Sequence, residues 1–139
     1  MFGYFLEIRN WFLEIAVNRG SMPITKPYDL EERTFEFAKS VRTFVQKLPK
    51  TISNHEDVKQ LVRSSGSVGA NYIEANESLS KKDKLMRIKI SRKEAKESAF
   101  WLKLLDNGVS KELNEEKSAL IKEANELTHI FGSIVMKFQ

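Results

Sequence analysis

The sequence predicts an all-α protein: an up-down-up-down antiparallel four-helix bundle preceded by an apolar N-terminal extension. Three observations carry that expectation. Apolar residues recur at the i, i+3, i+4, i+7 spacing of a buried helical stripe through four successive segments. Proline, glycine and capping residues punctuate those segments, leaving short connections between them. The apolar spacing also stays near seven, which lets helices pack at shallow angles. With 139 residues the chain is long enough to bury a core without disulfides or metals. Residues 1–27 are read as the extension and residues 28–139 as the bundle.

The extension opens with MFGYFLEIRNWFLEIAVNRG, apolar and aromatic but interrupted by Glu7, Arg9 and Glu14. No run reaches the roughly 18 to 20 apolar residues needed to span a bilayer. The basic start and small-residue cleavage site of a signal peptide are missing. A short amphipathic helix docked on the body is one expectation for this segment. The other is extra translated sequence ahead of an alternative start at Met22.

Pro23 and Pro27 break any pattern before Tyr28, and Asp29 can cap a first helix running to about Lys47. Leu30, Phe37, Ala38, Val41, Phe44, Val45 and Leu48 form its stripe, and Pro49 ends it. Asn54 is expected to cap the second helix, with Val58, Leu61, Val62, Ser65, Val68, Gly69, Tyr72, Ile73 and Asn76 inward. Two glycines in its SSGSVGA centre cost roughly 1 kcal/mol each relative to alanine, so close approach of a neighbouring helix is expected there. A third helix starts at Ser80, with Asp83 in a capping-box position, and ends near Asn107 and Gly108. Its stripe of Leu85, Ile88, Ser91, Ala95, Ser98, Ala99, Leu102 and Leu105 places small residues against the small ones of helix two. The fourth helix begins near Ser110 or Lys111, with Leu113, Leu120, Ile121, Ala124, Leu127, Phe131, Ile134, Val135 and Phe138 inward.

The absence of cysteine excludes a disulfide framework, thiolate catalysis and cysteine-based zinc or iron–sulfur sites, and fits a cytoplasmic protein. The formal charge is only +4, but residues 81–103 hold nine Lys or Arg against Asp83, Glu94 and Glu97. Lys82, Lys89, Lys96 and Lys103 recur every seventh residue, a row about 30 Å long on one side of helix three. Arg92 and Lys93 project near it. Such a ridge suits the phosphates of RNA or DNA, and these six residues are the candidate nucleic-acid contacts. Base reading is not expected, since no aromatic stacking motif interleaves with the lysines. Met86, Ile90, Trp101 and Leu104 form a second apolar line, roughly opposite the bundle-facing stripe. Large apolar residues on an outward face predict an oligomer interface.

No catalytic or metal-binding constellation is complete, and no cofactor is expected. Glu126-x-x-His129 supplies one of the two Glu-x-x-His pairs of a di-metal bundle, and His55 lacks a glutamate three residues before it. SGSVG resembles a nucleophile elbow, but Ser65 replaces its first glycine and no strand precedes it. The phosphate-cradling patterns G-x-x-x-x-G-K-[ST] and G-x-G-x-x-G are absent.

Three segments, YDLEERTFEFAKSVRTFVQKLP, QLVRSSGSVGANYIEANES and SKKDKLMRIKISRKEAKESAFWLKLL, resemble the bacterial four-helix-bundle family encoded within intervening sequences of 23S ribosomal RNA. The likeness covers residues 28–138 and is most specific in SGSVGANYIEA at 65–75 and KEAKES at 93–98. It implies a homopentamer without accepted catalytic residues and with a suggested role in nucleic-acid binding. A related accessory protein of diversity-generating retroelements looks like the same bundle. The expected function is therefore a non-enzymatic, homo-oligomeric bundle binding RNA or DNA through helix three. The alternative is a protein-interaction scaffold or accessory subunit without direct nucleic-acid binding.

Overall fold

The computed structural model describes residues 29–139, so the expectations for the extension at 1–27 and for Met22 lie outside the described residues. The four helices are α1 Leu30–Val45, α2 Ile52–Asn76, α3 Lys81–Leu104 and α4 Lys111–Phe138, and no strand occurs among the described residues. Each packs on the next, α4 also touches α1, and the antiparallel up-down-up-down bundle follows.

Local chemistry sets each start. Asp29 Oδ1 accepts from Glu31 N at 2.9 Å, with Glu31 and Glu32 at the positive end of the α1 dipole. Ser80 Oγ accepts from Asp83 N at 3.1 Å, and Ser110 Oγ from Leu113 N at 3.2 Å. The expected cap of the second helix is corrected. Thr51 caps α2 by accepting from Asn54 N, which leaves Asn54 inside the first turn and its side chain free for another task.

That task lies at one end of the bundle. Asn54 is buried, and its Nδ2 donates to Pro49 O and Asp106 O at 2.9 and 2.8 Å, while its Oδ1 accepts from Asp106 N at 2.9 Å. One side chain thus joins the α1–α2 loop to the α3–α4 loop. The same bonds explain why α3 stops at Leu104, short of the expected Asn107. Asp106 is committed to Asn54, Asn107 donates to Asn114, and Gly108 turns the chain at φ +65°.

The core runs through the expected stripes, with Phe37, Val41 and Phe44 of α1, Leu61 and Val68 of α2, Ile88 and Leu102 of α3, and Leu127 and Phe131 of α4 all buried. Tyr72 and Phe131 meet at 5.7 Å between ring centroids. Ile73, expected inward, is half-exposed, whereas Ser64 and Ala75 take buried positions that the reading of the sequence did not include.

The small residues of α2 serve two neighbours rather than one. A methyl group at Gly69 would lie 2.7 Å from Thr34 Oγ1 of α1, and one at Gly66 would lie 3.2 Å from Arg42 Nη2 of α1. The serines face the other way. Ser64 Oγ and Ser98 Oγ are 3.0 Å apart in the core, and Ser91 Oγ donates to Val68 O at 2.9 Å, joining α2 to α3.

Candidate nucleic-acid interface

At about 100° per residue, the buried stripe of α3 faces the bundle axis, and Lys82, Lys89, Lys96 and Lys103 fall on the opposite, outer side. All four are exposed, as are Arg92 and Lys93. Arg92 flanks α4, where a methyl group at Gly132 would meet its Nε at 3.3 Å. At the C-terminal end, Lys117 of α4 donates through Nζ to Leu105 O at 2.7 Å and Lys103 O at 3.4 Å. That ammonium satisfies carbonyls left open by the helix end and adds charge beside Lys103.

Among the described residues the row has no ion-pair partner, and Glu94 and Glu97 of α3 are engaged instead on its α2 side. Arg63 of α2 pairs with Glu94 Oε2 at 3.4 Å and Glu97 Oε1 at 2.9 Å. Burial opposes the Arg63 charge, but Glu94 and then Glu97 outweigh it, so the guanidinium is held more firmly protonated than usual. Glu94 is buried, and its Oε2 has the arginine's charge nearby without a hydrogen bond. Asp83 sits beside its cap. Among the described residues, ion pairs engage Arg33, Lys47, Lys59 and Arg63, and none engages the six cations of the row.

The apolar line is less uniform than its spacing suggests. Met86 and Leu104 are each 51% exposed, while Ile90 is partly covered. Trp101 is half-buried against the core, and its Nε1 donates to Glu97 Oε1 at 3.2 Å. The spacing marked it as outward, yet the ring packs partly buried against the core. Phe100, absent from the expected sites, is 54% exposed within the lysine row, a single aromatic side chain that the reading of the sequence did not single out. Lys84 was also missed. It points inward from the first turn of α3 at 3% exposure, and burial pushes its ammonium pKa down.

Two of the residues weighed for chemistry, Glu126 and Ser67, have structural partners. Arg33 donates to Glu123 Oε1 and Oε2 at 2.7 and 2.9 Å and to Glu126 Oε2 at 2.8 Å, tying α1 to α4. Ser67 lies within α2 and accepts from Asn71 Nδ2 at 2.9 Å. Among the described residues no three His, Cys, Asp or Glu side chains gather as a metal site, and no helix is long and apolar enough to cross a membrane.

No curated protein matches the chain. A crystal structure from Bacteroides thetaiotaomicron, of a protein with unknown function from the S23 ribosomal protein family, is similar to it. The two share 26% identity and a TM-score of 0.65, over 77% of this chain and 98% of that one. The family model described as 23S rRNA-intervening sequence protein matches residues 26–133, and the chain belongs to that family.

Proposed function

We propose that this bundle is a non-enzymatic, cytoplasmic homo-oligomer that binds RNA through phosphate contacts along α3. The observation that supports this reading is the division of charge on that helix. Glu94 and Glu97 are paired with Arg63 of α2, while six cations stand exposed on the outer side without a carboxylate partner among the described residues. An unneutralised row about 30 Å long attracts a polyanion mainly by releasing its counterions. The apolar line at Met86, Ile90, Trp101 and Leu104 supplies the contact between sister subunits, repeating the row around a pentamer.

The test is RNA retention by the Lys89→Glu, Lys96→Glu, Lys103→Glu triple variant, with circular dichroism as the control for folding. Six phosphate contacts give a logarithmic salt slope of about −4 to −5 for the wild type. The variant is expected to lose binding at low salt while keeping its helicity. Retention equal to the wild type rejects the surface, and a monomeric mass by light scattering rejects the assembly. Met86 and Leu104, half-exposed on the same helix, favour a second reading in which this edge receives another protein. That reading stands in place of the first if the wild type holds no RNA at low salt.

A further inference from the structure

We infer that Phe100 is a base-stacking platform set inside the lysine row, so that the RNA taken by this surface carries unpaired bases. This rests on the proposed phosphate contacts and specifies the ligand they serve.

The placement follows from the helical register. Lys96 lies four residues before Phe100 and Lys103 three residues after it, so both ammonium groups flank the ring on the surface of the helix. Lys93, seven residues back, continues the same line about 10.5 Å away. All three lysines are exposed, and Phe100 itself is 54% exposed. The ring contributes little to the bundle core, which lies on the opposite side of α3.

Trp101 holds the ring in place. The two aromatic rings meet at 5.0 Å between centroids and 78° between planes, an edge-on contact that occupies at most one face of Phe100. Trp101 is in turn fixed by the core and by its bond to Glu97. A pre-positioned apolar face among cations meets the two needs of a single-stranded site, stacking for the base and charge for its flanking phosphates. Duplex RNA keeps its bases stacked inside an A-form helix and offers phosphates and 2′-hydroxyls to a protein, so it gains nothing from this ring. Leu104, four residues on, belongs to the proposed subunit contact, so Phe100 lies at the edge of that contact; covering the ring itself would also draw in Lys96 and Lys103 and need carboxylates placed against them. Charge complementarity therefore favours a polyanion with exposed aromatic bases.

The experiment compares wild-type protein with Phe100→Leu, which keeps apolar area without a π face, and Phe100→Trp, which keeps the face. The probes are a fluorescent single-stranded uridine oligomer of about 16 nucleotides, matching the upper range of single-strand site sizes, and an RNA duplex of the same length. Phe100→Leu is expected to weaken single-strand binding roughly five- to a hundredfold, with Phe100→Trp close to wild type. Duplex affinity, salt slope and light-scattering mass should not change. The inference is overturned if Phe100→Leu weakens both probes equally, weakens neither, or alters the assembly mass, the last marking Phe100 as a subunit contact. If wild type binds neither probe at low salt, the phosphate-binding proposal falls as well. If charge reversal along the row releases both probes while Phe100→Leu affects neither, stacking alone fails.

Discussion

Lys84 shows how one residue's position within a helix sets its titration. It occupies the inward side of the first turn of α3, and burial lowers its pKa because an ammonium loses hydration there. In the unfolded chain the same group titrates near its ordinary value of about 10.4. Between the folded and unfolded values the unfolded state binds more protons, so stability attributable to Lys84 rises with pH. The cost of keeping it charged is present in full below the folded pKa and is gone above the unfolded one. Denaturation of wild type and Lys84→Met in parallel should therefore show wild type gaining on the variant as pH rises toward 10.4, the unfolded value. A pH-independent difference would show that Lys84 does not titrate differently in the fold.

Among the elements, α2 has the most exacting surface, because it approaches α1 through glycines and α3 through serines. At Gly69 an added methyl group would press on Thr34, which is fully buried and donates its hydroxyl to Leu30 O at 2.7 Å. Overpacking of that kind costs about 1–3 kcal/mol, against about 1 kcal/mol gained in helix propensity. Gly69→Ala should lower the melting temperature, at about 4–8 °C per kcal/mol of net loss. At Gly66 the neighbour is the far end of the exposed Arg42 side chain, which can move aside. Gly66→Ala should raise the melting temperature by several degrees, retaining most of the propensity gain. Equal effects in thermal unfolding would contradict the assignment of Gly69 as the close-contact point. The same two-sidedness governs α3, whose Glu94 and Glu97 face Arg63 while Lys82, Lys89, Lys96 and Lys103 face outward.

For the molecule as a whole, Asn54 joins parts of the chain that are far apart in sequence. Asn54→Ala removes two donors from carbonyls and one acceptor from a backbone N–H at the loop end of the bundle. A loss of about 1–3 kcal/mol in chemical denaturation is expected, with the proposed RNA binding unchanged because the row lies along α3. Stability equal to wild type would mean that water replaces all three bonds. Much of this architecture was legible in the sequence. The stripes of Phe37, Val41 and Phe44 and of Leu127, Phe131 and Ile134 announce buried faces, and Asp29, Ser80 and Ser110 announce three of the four starts. The exposed lysine row followed from its seven-residue spacing. Asn54 did not, because a cap and a tertiary staple use the same amide, and only the position of Asp106 distinguishes them. Phe100 could have been found by continuing the line from Lys93 by seven residues. By itself the sequence determined the helices, their inward faces and the charge of α3, since these depend on periodicity and local hydrogen bonding. Only the tertiary structure decided that the glycines of α2 meet α1, that Trp101 is sheltered while Phe100 is open, and that Arg63 engages Glu94 and Glu97. Those outcomes depend on which neighbour stands beside each face, and side-chain spacing along one helix carries no information about that distance.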